Sequence, residues 1–293
     1  MSSPATFRQL LDRPGLLIAP GAYDGLTARL VEQAGFPLVY MTGAGTAAAL
    51  GYPDYGLLTM TEMVNNAAVL TRSVSVPVLS DADTGYGNEL NVTRTVREFE
   101  ARGVAGIHLE DQVSPKRCGH LEGKDVVGRA EYLSLIRAAV AARRSPDFIL
   151  VARTDAVAVH GLDEAIARAN GALELGADVA FVEAVTTVDE VADVPKRVHG
   201  PCLLNIVPGG VTPITDLNQA EQMGYRIAIL PGLLLGATAL IGDAVLRDVQ
   251  QTGIHPSGSG GVRELFARLG AAEWDALRTS FDATVAADGR PGS

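Results

Sequence analysis

The sequence of 293 residues is poor in cysteine, with Cys118 and Cys202 as its two thiols. This count excludes the dense disulfide framework of small secreted domains, although it allows one bond between the two. Long apolar runs are also missing, since the longest, at 230–241, is shorter than the ~18 residues that a membrane span requires. Residues 1–11 contain no apolar signal segment. These absences predict a cytoplasmic protein without membrane contacts.

Basic side chains are outnumbered, with 24 Lys and Arg against 34 Asp and Glu and a formal net charge of −10. Binding to a phosphate backbone requires clustered basic residues, so this balance excludes a nucleic-acid partner. Hydrophobic residues make up 47 % and charged residues 20 % of the chain. That composition is typical of a folded protein with a large core.

Eight short apolar runs alternate with amphipathic helical patterns. Apolar runs of this length are typical of parallel strands that are covered on both faces. Four of them follow a glycine placed where a helix end requires a left-handed residue, at Gly35, Gly103, Gly176 and Gly224. Eight strand–helix units predict an α/β protein with a (β/α)₈ TIM barrel, and an open doubly wound sheet is the alternative. The predicted strands lie at 16–19, 38–41, 76–79, 104–109, 148–152, 179–183, 202–207 and 226–230.

The C-terminal part departs from this repeat. A long helix is predicted at 233–251, and it is followed by a Ser/Gly-rich segment at 257–261. That segment lacks the preceding strand and the following lysine of a phosphate-binding loop, so it reads as a flexible hinge. Helices are predicted again within 262–286. We therefore predict one barrel domain over 1–293, with a hinge and C-terminal helices.

Acidic residues stand at several predicted strand ends, where a barrel of this kind has its chemistry. Asp81, Asp83 and Glu110 follow apolar runs, and Asp54 lies in the loop after the second strand. Carboxylates suit Mg²⁺, which takes oxygen ligands and keeps several waters. We therefore predict a magnesium site formed by these four residues. The alternative is that the segment 81–85 only caps the following helix.

An acid–base pair and two features that indicate an acidic organic ligand lie at the strand ends. His108 and Glu110 share one face of the fourth strand, because side chains two apart point the same way, and they form an acid–base pair. Arg153 offers a planar fork for a carboxylate, with the alternative that it is a counter-ion to Asp155 or Glu183. Backbone N–H groups can turn toward an anion in the segment formed by Thr42, Gly43, Ala44 and Gly45.

Cys118 lies in a loop that follows the fourth strand. Its basic neighbours Lys116, Arg117 and His120 are expected to favour the thiolate, so that the thiol gives or takes a proton near neutral pH. A nucleophilic role is the alternative. Cys202 lies inside an apolar run and is predicted to be a passive core residue.

Seven motifs of the chain, taken together, resemble the isocitrate lyase/phosphoenolpyruvate mutase superfamily. The similarity runs in order from about residue 7 to about residue 246. The motifs are PGAYD at 20–24, MTGAG at 41–45, DADTGYG at 81–87, GIHLEDQ at 106–112, KRCGH at 116–120, ARTD at 152–155 and LNI at 204–206.

The resemblance implies a Mg²⁺-dependent barrel that forms a homotetramer whose subunits exchange a C-terminal helix. Asp81 would be the closest metal ligand, with Asp54, Asp83 and Glu110 in the water shell of the ion. The site would act on a small carboxylate, covered by a loop that carries the catalytic Cys118. The residues implied to hold the substrate are Tyr23, Thr42, Gly43, Ala44, Gly45, Lys116, Gly119, His120, Arg153, Glu183 and Asn205.

The chemistry that the resemblance implies is carbon–carbon bond cleavage. A 2-hydroxy di- or tricarboxylate of the methylisocitrate or 2-alkylmalate type would give a 2-oxo acid such as pyruvate and a second carboxylate, and Cys118 would protonate the carbanion. Catalysis would also involve Arg153, Glu110 and His108. Leu121 stands where methylisocitrate lyases tend to carry an arginine. The alternatives are a carboxyphosphonoenolpyruvate phosphonomutase or an oxaloacetate decarboxylase on the same site, and a non-catalytic metabolite-binding barrel.

Overall fold

A computed structural model describes residues 4–121, 123–256 and 261–287. Eight parallel strands pair in chain order and close into a barrel, because β1 pairs with both β2 and β8. The barrel prediction is confirmed, and the open sheet is wrong. The strands are β1 Leu17–Ala22, β2 Val39–Met41, β3 Val78–Asp81, β4 Gly106–Glu110, β5 Ile149–Thr154, β6 Val179–Val182, β7 Cys202–Asn205 and β8 Ile227–Leu230.

Helices connect the strands and follow the last one. They are α1 Pro4–Asp12, α2 Gly25–Gln33, α3 Gly43–Ala49, α4 Met60–Ser73, α5 Glu89–Ala101, α6 Arg129–Ala142, α7 Val157–His160, α8 Leu162–Glu174, α9 Val188–Arg197, α10 Leu217–Met223, α11 Leu233–Thr252, α12 Val262–Arg268 and α13 Ala271–Ala287. Over the described ranges, none of them combines the length and apolar character that a bilayer crossing demands. The cytoplasmic location remains a prediction.

Local sequence signals fix where the helices begin and end. Asp24 caps α2 by accepting from the Thr27 N–H, and the Thr27 hydroxyl accepts in turn from the Asp24 backbone. At the other ends, Gly103 has φ +80° and Gly224 has φ +99°, the left-handed conformation predicted for them. The helices before β4 and β8 therefore end at glycines that the sequence marks.

The barrel interior is apolar toward its N-terminal end. Phe7 of α1 is fully buried in a cluster that includes Leu79 and Ile227, so α1 closes this end. The Arg226 guanidinium holds α1 in place by donating to the carbonyl oxygens of Leu10 and Leu11, at 2.5 and 2.8 Å. The open end of the barrel is therefore the C-terminal one.

The chain divides into two compact units, 1–238 and 239–293. Unit 1 contains the barrel. Unit 2 contains most of α11 together with α12 and α13, at the positions predicted for the C-terminal helices, and large apolar side chains on it are exposed, among them Leu240, Leu246, Val262, Trp274 and Phe281. Residues 257–260 of the predicted hinge lie outside the described residues. The prediction of a single domain over 1–293 stays a prediction.

Candidate active site

A cavity of about 140 Å³ lies at the C-terminal ends of the strands. Asp81 ends β3, Arg153 lies in β5, Glu183 follows β6 and Asn205 ends β7, so four strands contribute to one cavity. This is the end of the barrel where active sites lie. The lining residues are Tyr40, Thr42, Ala44, Asp54, Asp81, Cys118, Gly119, His120, Arg153, Glu183, Asn205, Val207, Pro231, Gly232 and Leu235.

The acids predicted as metal ligands are brought to the same rim but take different partners. The Asp81 carboxylate lies 3.5 Å from His108 Nε2 and accepts from the Asp83 N–H at 2.9 Å. Asp83, two residues after the end of β3, has φ +47°, in the left-handed region. Lys116 Nζ bridges Asp83 at 2.9 Å and Asp54 at 2.5 Å. Burial raises the pKa of Asp83 to about 6, even though Lys116 opposes that shift.

Glu110 is buried behind the cavity and does not line it. It stands opposite Arg153 in the pairing of β4 with β5, and its Oε2 lies 3.2 Å from Arg153 Nε. Burial raises the pKa of Glu110 well above its ordinary value, although the Arg153 charge opposes it. Within the described part of the chain, neither Glu110 oxygen has a hydrogen-bond partner. A buried acceptor of this kind calls for a water or an ion.

The residues at the rim fit a magnesium ion. Among the described residues at the rim, the carboxylates outnumber the cations, with Asp54, Asp81, Asp83, Asp155 and Glu183 against Lys116, Lys124 and Arg153. Across 4–121, 123–256 and 261–287, no group of three or more His, Cys, Asp or Glu side chains is arranged so that it could hold a metal ion. Mg²⁺ does not require one, because it is commonly held by one or two carboxylates and several waters.

Arg153 is surrounded by carboxylates. Its Nε lies 2.9 Å from Asp155 Oδ2, its Nη2 lies 3.4 Å from Glu183 Oε2, and its guanidinium stacks over Phe181 at 5.0 Å. The counter-ion interpretation therefore describes real ion pairs. Because Arg153 also lines the cavity, these pairs hold its guanidinium in a fixed direction, and its contact with a substrate carboxylate stays a prediction.

The predicted anion-binding segment begins α3. Thr42 is the N-cap and accepts from the Gly45 N–H at 3.2 Å, and Thr42 and Ala44 line the cavity. Gly43 backs directly onto the Asp81 carboxylate, so that a side chain there would collide with it. Tyr23 is not brought to this cavity, since its hydroxyl bonds to Thr238 Oγ1 at 2.9 Å.

The Cys118 loop lines the cavity with Cys118, Gly119 and His120. The Cys118 N–H donates to the Asp54 carbonyl oxygen at 3.2 Å. Gly119 packs so closely that an added Cβ would lie 2.5 Å from Arg153 Nη2. His120 Nδ1 accepts from the Val211 N–H at 3.2 Å, and its Nε2 lies 3.6 Å from Glu183. The loop that carries the thiol therefore contacts the charged residues at the base of the site.

The expectation that basic neighbours favour the Cys118 thiolate is wrong. Burial raises the pKa of the thiol, and the negative charge of Asp54 adds to the effect. Lys116 is committed to two carboxylates, and Arg117 stacks over Tyr55 at 5.7 Å. The thiol is therefore protonated at neutral pH and suits a proton donor. Both cysteines are free, so no disulfide joins them.

Tyr40 is a site residue that the sequence analysis missed. It lines the cavity, and its hydroxyl lies 2.8 Å from His108 Nε2. Burial lowers the pKa of His108 to about 4, so the imidazole is neutral at pH 7. A tyrosine inside an apolar run looks like a core residue in the sequence. The only signal was that it lies two residues before Thr42, on the same face of the strand.

A closed parallel barrel with buried acids, a fixed arginine and a protonated thiol at one rim defines a (β/α)₈ protein with a carboxylate-rich site. The comparison with protein families is more specific. A family model described as phosphoenolpyruvate phosphomutase matches residues 7–249, so the chain belongs to this family, within the phosphoenolpyruvate mutase/isocitrate lyase superfamily. The resemblance seen in the sequence is thereby confirmed.

Curated relatives extend the comparison. The chain is 47 % identical to a 2,3-dimethylmalate lyase of Eubacterium barkeri, over 79 % of this chain and 80 % of the relative. It is 42 % identical to a 2-methylisocitrate lyase of Aeropyrum pernix, over 84 % and 79 % of the two chains. A chloroplastic carboxyvinyl-carboxyphosphonate phosphorylmutase of Arabidopsis thaliana is 41 % identical, over 84 % and 74 %.

Solved structures share the fold over nearly the whole chain. Oxaloacetate acetylhydrolase with 3,3-difluorooxalacetate matches with a TM-score of 0.89 and 39 % identity, covering 99 % of both chains. Phosphonopyruvate hydrolase in complex with oxalate and Mg²⁺ matches with a TM-score of 0.85 and 29 % identity, covering 95 % of this chain and 99 % of the other. A similar protein thus binds Mg²⁺ and a small dicarboxylate.

Proposed function

We propose that this protein is a Mg²⁺-dependent carbon–carbon lyase. It cleaves a small 2-hydroxy di- or tricarboxylate into a 2-oxo acid such as pyruvate and a second carboxylate. The observation that carries the proposal is that a protonated Cys118 lines the same cavity as Asp81 and Arg153. The relatives named as lyases of 2,3-dimethylmalate and 2-methylisocitrate support it.

The metal belongs to the acidic side of the site. Asp81 lines the cavity and is the proposed direct ligand, with Asp54, Asp83 and Glu110 in the surrounding water shell. When bound, Mg²⁺ supplies positive charge that stabilises the 2-oxo acid part of the substrate. Lys116 holds Asp54 and Asp83 in place through its two ion pairs, and so determines where the outer acids stand.

The proposed reaction needs one proton removed and one delivered. The substrate's 2-hydroxyl proton passes to one of the carboxylates that line the cavity, Asp54 or Glu183. The bond between C2 and C3 then breaks, its electron pair stays on C3, and the C2–O bond becomes a carbonyl. The Cys118 thiol gives its proton to C3. His108, neutral and fixed by Tyr40, holds the Asp81 carboxylate.

The cavity wall favours a substrate of the 2-alkylmalate type over a tricarboxylate. Val207, Pro231 and Leu235 provide an apolar surface. Among the described residues that line the cavity, Arg153 is the sole Lys or Arg. A third carboxylate would enter without a cationic partner, and burying an unpaired charge is costly.

A substrate panel tests the function. Wild-type enzyme is incubated with 2,3-dimethylmalate, 2-methylisocitrate or oxaloacetate, with Mg²⁺ or with EDTA, and pyruvate is measured with lactate dehydrogenase. We expect pyruvate from the hydroxy acids only with Mg²⁺, and faster from 2,3-dimethylmalate. Phosphorus NMR with phosphonopyruvate is run in parallel. Conversion of phosphonopyruvate to phosphoenolpyruvate alone identifies a mutase. Pyruvate formed from oxaloacetate alone, faster than in an enzyme-free control with Mg²⁺, identifies a decarboxylase. If no substrate is converted and calorimetry detects no Mg²⁺ binding, the protein is a non-catalytic barrel.

We also propose a homo-oligomer, in which subunits exchange their C-terminal helices to form a tetramer. The exposed Trp274 and Leu240 on unit 2 support it, because apolar side chains of this size are normally covered. Light scattering on the full chain should give four times the subunit mass. A chain ending at residue 256 should give a smaller particle, and a monomeric full chain would contradict the proposal.

A further inference from the structure

Lys124 is a buried cation for which the proposed reaction has no use. Its side chain is 3 % exposed, and its Nζ lies 3.0 Å from Asp155 Oδ1. The same ammonium donates a short hydrogen bond to the carbonyl oxygen of Gly119. Taking an ammonium group out of water costs several kcal/mol unless partners compensate for it. The position of Lys124 is therefore determined by two partners, the Asp155 carboxylate of the barrel and the Gly119 carbonyl oxygen of the loop.

The carboxylate partner is rigidly held from the barrel side. Asp155 is fully buried, and its backbone N–H donates to Asp111 Oδ1 at 2.8 Å. Asp111 is held in turn by Arg168 at 3.0 Å. The two oxygens of Asp155 accept from Arg153, at 2.9 Å from Nε and 3.2 Å from Nη2. One fixed carboxylate therefore orients both the substrate-binding arginine and Lys124.

The carbonyl partner lies next to the reacting thiol. Gly119 directly follows Cys118, and its Cα packs against Arg153 and Glu183 so closely that a Cβ would lie 2.7 Å from Glu183 Cγ. On the other side, the Cys118 N–H donates to the Asp54 carbonyl at 3.2 Å. Cys118 is therefore anchored before and after its Cα, and Lys124 provides the second anchor.

We propose that Lys124 is a positioning residue that holds the Cys118 thiol in register with Arg153. Its ammonium joins the Gly119 carbonyl to the carboxylate that orients Arg153, so that the proton donor and the substrate carboxylate site share one support. The effect on turnover rests on the proposed lyase function, whereas the effect on the thiol does not. Without Lys124, the residues that bind and cleave the substrate remain in place, but the Cys118 thiol is no longer held where it can deliver its proton. We expect kcat to fall while KM changes little, because ground-state binding uses Arg153.

The thiol itself is the direct readout. In a Cys202→Ala background, the rate at which N-ethylmaleimide alkylates Cys118 is measured for the parent protein and for Lys124→Met. We expect alkylation to become about tenfold faster in Lys124→Met, because the loop backbone loses its buried anchor. Lys196→Met is the matched control, since Lys196 is 66 % exposed and only 3.8 Å from Asp193. Its alkylation rate should equal that of the parent.

Each outcome decides the role of Lys124. An unchanged alkylation rate in Lys124→Met overturns the proposal, and a lowered melting temperature with an unchanged rate assigns Lys124 a merely structural role. Lys124→Gln keeps a donor for Gly119 but loses the charge, and it should give an intermediate rate. If Lys124→Met does not fold, the alkylation rate of Lys124→Gln decides the test. If the parent turns over no hydroxy acid, the proposed function fails, and the alkylation comparison still decides this inference.

Discussion

The two ends of the barrel differ in whether their charged side chains are exposed or buried. At the N-terminal end, Phe7 fills the interior, and the ion pairs of Asp178 with Arg8 and Arg143 lie around the edge with part of each side chain in water. At the C-terminal end, Glu110 and Arg153 are themselves buried. One end places apolar groups inside and charges outside, while the other end encloses charges.

The difference shows what each end contributes. Enclosing charges costs free energy that a packed apolar cluster would not, and even well-paired buried ions are weak sources of stability. An enclosed charge cluster is useful for binding and catalysis, for which fixed dipoles and charges are required. We therefore expect changes at the C-terminal end to reduce activity with little effect on stability, and changes at the N-terminal end to do the reverse.

Replacing the thiol should give the largest effect. Cys118→Ser removes an acid of suitable pKa, and turnover should fall by about 10²–10⁴-fold, the usual contribution of a general acid. The melting temperature should not change, because the side chain is only partly buried. Cys202→Ala serves as the matched control and should keep its turnover per folded molecule. Full lyase turnover in Cys118→Ser would refute the acid role.

A substitution at the opposite end should produce the reverse pattern. Phe7→Ala leaves a cavity in the cluster that closes the barrel, and the free energy of unfolding should fall by about 3–5 kcal/mol. Denaturant unfolding measures this loss. The kcat and KM of the folded fraction should match those of the wild type. A selective loss of kcat in a stable Phe7→Ala protein would show that the two ends are not separable.

Asp81→Asn tests the metal side of the rim. Its Mg²⁺ affinity, measured by calorimetry, should fall by at least about 10–100-fold, the size of effect seen when support of a metal ligand is lost. The free energy of unfolding should stay the same or rise, because one buried charge is removed. Asp163→Asn is the control, since that side chain is 91 % exposed. Equal Mg²⁺ affinity in Asp81→Asn and wild type would remove Asp81 from the metal site.

The smallest effect is the pH dependence near neutrality. The active form of Cys118 is the protonated thiol, and burial raises its pKa, so kcat should change less than about twofold between pH 7 and 8. The rate should then fall as pH rises through the raised pKa, since the proton is lost. A falling limb near pH 7 that is absent in Cys118→Ser would mean that the thiol pKa is not raised.

Most of the fold followed from local patterns in the chain. The glycines at 103 and 224 mark helix ends. The eight apolar runs form strands whose bounds lie within a few residues of the predicted ones. The rim position of Asp81 and Asn205 followed from the rule that parallel strands end together.

The chemistry of individual groups did not follow in the same way. Lys116 binds Asp54, which is 62 residues earlier. Its positive charge is therefore paired with a carboxylate and does not favour the Cys118 thiolate, as the sequence analysis had expected. The thiol pKa depends on burial by the folded loop, which no neighbour in sequence reveals. Tyr40 lines the cavity but was overlooked, because its neighbours in β2 are apolar and the sequence there gives no sign of a polar face.

Proton NMR of the wild-type reaction in D₂O with Mg²⁺, run on 2,3-dimethylmalate and 2-methylisocitrate, is the most direct test of the central claim. We predict that pyruvate appears together with a second carboxylate, and that this carboxylate carries one deuterium at the carbon that left C2, delivered by the exchanged thiol. Turnover of neither substrate, or a second carboxylate without solvent deuterium, would contradict the account.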